Sequence, residues 1–245
     1  MNKTFIFDLD DTLIENQIRY TLIHADFIKW VVERIGYRAP DARTIMNMEV
    51  EIDRELVRTM GFSRKRFPTS FKLAYRKMCK FLRLEDKEGE DMAYGIGDMV
   101  FDEDRWTKLG VGGMLEGTED TLDFLASQKD ELLLLSAGDR EIQADKIRRN
   151  RLCNWFGEDK MYVVRMKSRA EFEKVVGKRD KENIWAVGNS IRSDVLPALE
   201  AGLKVVYIPC ETWAYEAEHN GLPDDSRITT FSNIGFIKSQ YSVLA

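Results

Sequence analysis

Acidic residues gather in the first dozen positions of this 245-residue chain. Asp8 and Asp10 are two positions apart and directly follow an apolar run, Phe5 to Phe7, so in an extended backbone their side chains point the same way. A third carboxylate, Asp194, follows another apolar segment much later in the chain. Like charges about 4 Å apart repel by on the order of 1 to 4 kcal/mol per pair, so a cation is expected among them. Oxygen ligands without sulfur favour Mg²⁺.

Polar residues also follow the other apolar segments. These segments predict strands at residues 3–9, 131–136, 161–164 and 183–188. In open parallel sheets, ligands bind beyond the carboxyl ends of the strands. The polar side chains at those ends are Asp8 and Asp10, Ser136, Lys167, and Asn189 with Asp194. We therefore expect these groups to converge on one edge of a sheet.

The elements that would position these groups follow from the hydrophobic pattern. From about residue 106 onward, predicted helices alternate with strands, which indicates an α/β fold with a doubly wound, mostly parallel sheet. Residues 15–105 instead show helical periodicity with almost no strand pattern. The sequence thus predicts a catalytic core made of residues 1–14 and 106–245, and a smaller all-helical domain made of residues 15–105.

The combination of two carboxylates, a lysine and a serine suits phosphoryl transfer. One carboxylate can attack phosphorus and become an aspartyl phosphate, while a second carboxyl group protonates the leaving oxygen and then activates water. Mg²⁺, a lysine and a serine hydroxyl can hold the phosphoryl oxygens. No histidine is needed, and the chain has only two, His24 and His219, which we interpret as ordinary packing or surface residues.

Four motifs, in this order, make the chain resemble the haloacid dehalogenase superfamily over nearly its whole length. The first is DLDDTL at residues 8–13, and the second is a run of four leucines before Ser136. The third is Lys167, and the fourth is GNSIRSD at residues 188–194. Residues 143–156 also look like the helix and turn that these proteins carry after the second motif.

The resemblance implies roles for the first motif. Asp8 looks like the nucleophile and a metal ligand. Asp10 looks like the general acid/base, and its main-chain carbonyl would also bind the metal. Thr12 would hold the loop. The helical block at 15–105 is similar to a cap inserted after the first motif.

The resemblance also implies roles for the later motifs. Ser136 would hydrogen-bond the transferring phosphoryl group, helped by the amides of Ala137 and Gly138. Lys167 would orient the nucleophile and neutralise phosphoryl charge. Asn189 and Asp194 would complete the metal site. The fourth motif of the family usually begins Gly-Asp, whereas this chain has Asn189, which can still bind Mg²⁺ but brings no charge.

The acid at position 10 favours phosphatase chemistry, because dehalogenases of the family lack it while phosphatases and phosphomutases have it. A phosphomutase, a 2-haloacid dehalogenase and a catalytically degenerate binding protein remain as alternatives. A two-component receiver domain also clusters acids with a lysine, but it would be about half as long and would lack the helical insert.

Basic residues concentrate in the helical block between Arg64 and Arg83. They can form a solvated helix face, as charge runs usually do. Alternatively, residues 64–70 form a specificity loop in which Arg66 binds a second anionic group of the substrate.

The bulk composition limits the class of protein. A net charge of −5 argues against a nucleic-acid binder, and no stretch predicts a membrane span or secretory signal. Three scattered cysteines indicate reduced thiols and a cytoplasmic protein. We expect a small phosphorylated metabolite as the substrate, and we interpret Trp213 and Tyr215 as packing residues. The sequence leaves the specific ester and the oligomeric state open.

Overall fold

The computed structural model describes residues 2–210 and 221–244, so Trp213, Tyr215 and His219 lie outside the described residues. The chain divides into two compact units, one made of Met1–Gln17 with Gly113–Ala245 and the other of Ile18–Gly112. Residues 106–112, which the sequence assigns to the core, fall in the second unit. The reason is that Trp106 is buried in the apolar cluster of that unit. The use of this unit as a cap stays a prediction.

Within the described residues, the first unit contains one six-stranded sheet in which every pairing is parallel. The order across the sheet is β3-β2-β1-β4-β5-β6. The strands are β1 Thr4–Phe7, β2 Glu131–Ala137, β3 Met161–Val164, β4 Ile184–Gly188, β5 Lys204–Tyr207 and β6 Ile228–Thr230. The predicted α/β fold with a parallel sheet is confirmed.

The α-helices in the described residues follow the chain from the helical unit into the α/β unit. They are α1 Gln17–Ile35, α2 Ala42–Met60, α3 Arg66–Leu82, α4 Lys87–Asp98, α5 Glu103–Leu109, α6 Thr118–Ser127, α7 Arg140–Arg149, α8 Arg169–Val176, α9 Leu196–Glu200 and α10 Phe236–Ser239. A π-helical turn, Ile191–Val195, precedes α9. None of these helices has the length and apolar character needed to cross a membrane.

The leucine run of β2 explains how the sheet is buried. Successive side chains of a strand point to opposite faces. Leu132 and Leu134 pack in one apolar layer with Phe7, whereas Leu133 and Leu135 pack in the other. A strand that is apolar at every position is thus covered on both faces, as parallel sheets require.

Side-chain caps fix several helix starts in the helical unit. Asp41 accepts a hydrogen bond from the amide of Thr44, and Asp86 accepts one from the amide of Gly89. The predicted specificity loop at 64–70 is wrong, because α3 already begins at Arg66. Its third residue is Pro68, which the first helical turn tolerates since amides there have no acceptor within the helix.

Buried polar side chains lie between α1, α2 and α3. His24 of α1 places Nε2 2.6 Å from a carboxylate oxygen of Glu49 and Nδ1 2.9 Å from the carbonyl oxygen of Tyr20. Both partners are acceptors, so the two contacts favour the protonated, imidazolium form of the ring. Burial by itself would lower the pKa of His24. The hydrogen bond to Glu49 and the other acceptors nearby have a larger effect in the opposite direction, so the pKa lies above its ordinary value. Ser70 of α3 donates to the other oxygen of Glu49.

Replacing His24 with Gln is expected to make stability less dependent on pH. A histidine whose folded-state pKa is raised contributes stability that is complete below about pH 6.5 and is lost as pH rises through the raised value. The unfolding free energy of wild type should therefore be higher than that of His24→Gln, with the largest difference near pH 6 and a smaller one in alkaline buffer. Burial raises the pKa of Asp53 in the same cluster to about 6. Because Asp53 is present in both proteins, its own contribution to the pH dependence largely cancels in the difference between them. Denaturant titrations between pH 5.5 and 9 measure this, and a constant difference would contradict it.

Candidate active site

The loop after β1 carries the first predicted motif. Asp8 leaves the sheet with its amide donating to the carbonyl of Val187, 2.9 Å away, which fixes it beside β4. The chain then turns sharply, with Asp11 at φ 57° and the amide of Leu13 bonded to the carbonyl of Leu9. Asp11 tolerates this left-handed conformation, as Asp and Asn do more readily than other residues with side chains. The turn keeps both the Asp8 and the Asp10 side chains at the carboxyl edge of the sheet.

Lys167 connects two buried carboxylates. Its ammonium donates to Asp8 and to Asp194, and all three side chains are at most one-tenth exposed. Burial raises the pKa of Asp8 to about 7, while Lys167 lowers it and the charge of Asp194 raises it. Burial alone would lower the pKa of Lys167, but Asp194 and Asp8 raise it above its ordinary value, so the lysine carries a charge. The predicted placement of a lysine beside the first carboxylate agrees with this geometry.

The π-helical turn places Asp194. Ser190 precedes the turn and accepts a hydrogen bond from the amide of Ser193, and its carbonyl accepts from the amides of Asp194 and Val195. One carboxylate oxygen of Asp194 in turn accepts from the amide of Ser190, at 3.0 Å. Asp194 is only 2% exposed. The turn therefore directs a negative charge inward at the end of β4.

Gly188, the last residue of β4, makes room for that charge. A Cβ atom added to Gly188 would collide with the carboxyl group of Asp194. Asn189 follows, buried, and its side-chain oxygen accepts from the hydroxyl of Thr12 at 3.4 Å. The same hydroxyl is 3.4 Å from Asp8, so Thr12 of the first motif contacts both Asp8 and Asn189 of the fourth motif, and its role in holding the loop stays a prediction.

Asp10 is held by the helix that follows the second motif. Lys146 Nζ is 2.7 Å from one oxygen of Asp10, and Gln143 Nε2 is 2.9 Å from the other. Gln143 Nε2 also donates to Ser136 Oγ, 2.6 Å away. Ser136 is almost fully buried at the end of β2. Asp10 and Ser136 are thus joined through one amide group.

The predicted role of Gly138 is wrong. Its amide donates to the carbonyl of Val164, 2.9 Å away, and so continues the bonding between β2 and β3 instead of being free for a phosphoryl oxygen. Gly138 has φ 152°, and an added Cβ would come within 3.2 Å of Gln143. Its glycine character therefore serves the approach of Gln143. Ala137 is the last residue of β2, and its part in phosphoryl binding stays a prediction.

Arg66 does not join the other predicted site residues. Its side chain is only 6% exposed and pairs with the buried carboxylate of Asp53, inside the helical unit. The hypothesis of a substrate-binding Arg66 on an exposed loop conflicts with this placement, because the guanidinium is buried and already forms an ion pair with Asp53. A charge at this position is needed to offset Asp53, since an unpaired buried carboxylate is costly.

The donor atoms at the strand ends fit Mg²⁺. Two carboxylates, Asp8 and Asp194, are buried there with the side chain of Asn189, and the resemblance adds the main-chain carbonyl of Asp10. All of these are hard oxygen ligands. In the part of the chain that the structure describes, no three Asp, Glu, His or Cys side chains form a ready metal cluster.

Gln143 and Lys146 were not singled out as site residues from the sequence, although a signal for them exists. The two are three positions apart on a helix that starts four residues after Ser136. Side chains at that spacing share one helix face. A helix that begins directly beyond a strand end presents such a face to the same sheet edge.

Comparison with known proteins gives a fold assignment. No family model matches the chain, and no curated protein sequence matches it. A haloacid dehalogenase-like family hydrolase from Xanthomonas campestris superposes with a TM-score of 0.72 at 19% identity, covering 99% of this chain and 91% of that one. A candidate HAD-hydrolase from Bacillus subtilis, YfnB, solved with magnesium, gives 0.60 at 16% identity, covering 99% and 98%.

A 2-haloacid dehalogenase from Pseudomonas syringae has the same fold, with a TM-score of 0.59 at 19% identity over the full length of both chains. Chains named as a predicted phosphoglycolate phosphatase and a candidate beta-phosphoglucomutase match as well. The chain therefore has the fold of the haloacid dehalogenase-like hydrolases. These structures carry several activities on one fold, so the fold by itself does not select among them.

Proposed function

We propose that this chain is a magnesium-dependent phosphohydrolase of the haloacid dehalogenase superfamily that cleaves a small phosphomonoester through an aspartyl phosphate on Asp8. The observation that supports this most is the pairing of two different carboxyl environments at one sheet edge. Asp8 is buried against a charged lysine. Asp10, about a quarter exposed, is bonded through Gln143 to a serine hydroxyl. Two carboxyl groups in unlike surroundings suit two unlike roles.

In the first step, a carboxylate oxygen of Asp8 attacks phosphorus and the bond from phosphorus to the ester oxygen breaks. Asp10 gives its proton to that oxygen, so the product leaves as an alcohol. The hydroxyl of Ser136 donates a hydrogen bond to a phosphoryl oxygen, and the ammonium of Lys167 offsets the charge that accumulates there.

In the second step, Asp10 takes a proton from water, which attacks phosphorus and releases inorganic phosphate from Asp8. Both carboxylates return to their starting states, so protons and phosphate balance over the cycle. Asp8, Asp194, Asn189 and the carbonyl of Asp10 would hold Mg²⁺, which supplies positive charge to the phosphoryl oxygens when it is bound. Residues 18–112 would serve as the cap that selects the substrate, and we propose a cytoplasmic location.

A 2-haloacid dehalogenase is the principal alternative, since a protein of that name shares the fold. A halide leaves without a proton, so that reaction needs no acid beside the leaving group. The structure holds Asp10 with two donors at the sheet edge, which favours a reaction that uses a second carboxyl group. A phosphomutase would use the same residues but would need a bisphosphate to phosphorylate Asp8.

The test is phosphate release from p-nitrophenyl phosphate and from panels of sugar phosphates and nucleoside monophosphates, each with MgCl₂ or with EDTA. Chloride release from 2-chloropropionate is measured in parallel. We expect turnover of esters in Mg²⁺ and none in EDTA, with no chloride. Chloride release would identify a dehalogenase, and an isomeric product that requires added bisphosphate would identify a mutase. Mg²⁺ binding without any turnover would support a binding protein.

A further inference from the structure

We infer that Gln143 and Lys146 of α7 are positioning residues that fix the acid/base Asp10 and couple it to Ser136. The inference rests on the proposed function, because it assigns Asp10 the proton transfer. Neither side chain belongs to the four motifs that carry the resemblance, although both lie in the helix that follows the second motif, and the resemblance assigns neither a role. Both are buried, and both direct their polar ends at Asp10.

The geometry fixes the orientation of the Asp10 carboxyl group. Lys146 Nζ donates to Oδ1 at 2.7 Å, and Gln143 Nε2 donates to Oδ2 at 2.9 Å. Because each oxygen has its own donor, rotation of the carboxyl group about its terminal bond would break both contacts. Lys146 Nζ also reaches the side-chain oxygen of Asn16 at 3.0 Å, so the lysine head is itself anchored.

The amide of Gln143 orients a second group at the same time. Its nitrogen donates to Ser136 Oγ at 2.6 Å and lies 3.3 Å from the carbonyl of Ala137. A hydroxyl that accepts from an amide keeps its single proton for a different acceptor. In the proposed reaction that acceptor is a phosphoryl oxygen. Gln143 therefore orients two groups: the Ser136 hydroxyl, which donates a hydrogen bond to the phosphoryl group, and Asp10, which protonates the leaving group.

The local fold is arranged so that α7 can deliver these side chains. Asp139 accepts hydrogen bonds from the amides of Glu141 and Ile142, which starts the helix at Arg140, four residues after Ser136. Gly138 lacks a Cβ where one would press on Gln143. The start of the helix thus places positions 143 and 146 on the face toward the sheet edge, and the glycine leaves room for Gln143.

A stability role for these contacts would predict a different result from a positioning role. If the ion pair only stabilises the fold, breaking it lowers the amount of active protein, and the turnover of all substrates falls equally. A displaced acid slows only those esters whose leaving oxygen needs a proton. An alkyl phosphate belongs to this group, whereas p-nitrophenyl phosphate, with its stable phenolate, does not.

The test compares kcat/KM for p-nitrophenyl phosphate and for the best alkyl phosphate of the ester panel, in wild type, Lys146→Met and Gln143→Leu. The kcat/KM value reports the steps up to transfer onto Asp8, so slow hydrolysis of the aspartyl phosphate does not obscure it. We expect the ratio of alkyl to aryl kcat/KM to fall at least about tenfold in each variant, within the range usual for loss of general acid catalysis. Lys146→Arg should recover most of the ratio.

Arg148→Met is the matched control, since Arg148 lies on the same helix with its side chain 77% exposed. It should leave the ratio unchanged. Melting temperatures identify any variant that fails to fold, in which case the ratio is taken from the neutral Lys146→Gln and from Gln143→Asn. If wild type hydrolyses neither ester, the proposed function fails and the inference fails with it. If wild type hydrolyses both esters and the variants keep its ratio, only the inference is overturned.

Discussion

Asp8→Asn is expected to abolish ester turnover, with a fall in kcat of at least about 10³-fold, equivalent to ~4 kcal/mol of barrier. An amide oxygen cannot form the aspartyl phosphate, so the covalent route is closed instead of merely slowed. Stability should change little. Burial already disfavours the charge of Asp8, whose pKa it raises to about 7, and Lys167 keeps its second carboxylate partner, Asp194. Phosphate release and a thermal melt of the same preparation measure both effects.

Asp11→Asn provides the matched control in the same loop. Asp11 accepts hydrogen bonds from the amides of Asn16 and Gln17, at 2.9 and 2.8 Å, and so caps the start of α1. Asparagine can cap a helix in the same way and tolerates the left-handed backbone at this position. The control should therefore retain activity within about threefold. Residual turnover in Asp8→Asn above about a tenth of the wild-type rate would exclude Asp8 as the nucleophile.

Gly188→Ala is expected to cost both stability and activity. The added methyl group would collide with the carboxyl group of Asp194 at a fully buried strand end. Overpacking of this kind typically costs about 1 to 3 kcal/mol. Since Asp194 also bonds Lys167 and the Ser190 amide, its displacement would disturb the proposed metal site. We expect at least a tenfold fall in kcat/KM and a higher Mg²⁺ requirement.

Gly95→Ala is the control for this substitution, because an added Cβ at Gly95 in α4 meets nothing within 4 Å. Alanine in a helix is favoured over glycine by up to about 1 kcal/mol, so this variant should be as stable as wild type or more so. Asp194→Asn separates charge from volume, since it removes the carboxylate without adding an atom. If Gly188→Ala behaves like Gly95→Ala, the argument from crowding is wrong.

The strands were the most predictable part of the fold. β2 and β4 are apolar at nearly every position, because a parallel sheet buries both faces, and their predicted bounds agree with the structure to within one residue. β1 is shorter than the predicted 3–9, since the chain leaves the sheet at Asp8 to make the turn at Asp11. Leu9 lies in the turn and not in the strand, but its side chain still packs in the apolar core. The hydrophobic pattern therefore extends beyond the end of the strand.

Helix bounds were harder to predict where the backbone departs from α geometry. The hydrophobic pattern of residues 192–201 predicts one continuous helix, but the structure has a π-helical turn followed by the short α9 there. Apolar spacing does not distinguish a π-helical turn from an α-helix. The difference lies in the backbone hydrogen bonds, because the amides of Asp194 and Val195 donate to the same carbonyl. In this chain that shared carbonyl belongs to Ser190, and it decides where Asp194 points.

The convergence of groups from different strand ends could be predicted, because parallel strands place their carboxyl ends on one edge. The contact of Lys167 with Asp8 and Asp194 is of this kind. The burial of Arg66 could not be predicted in this way. Its partner, Asp53, lies on another helix, so the pairing depends on how two helices pack and not on the pattern within either one.

The position of β1 at the middle of the sheet has a consequence for biosynthesis. The ribosome makes β1 first, but its two neighbours begin only at Glu131 and Ile184. Residues 18–112 contain their own apolar cluster and can fold while the chain is still being made. Phe5, Ile6 and Phe7 meanwhile have no strand to pair with on either side. A nascent chain stalled before Ile184 would therefore expose an open, apolar strand edge, the kind of surface that chaperones recognise and that aggregates when they do not.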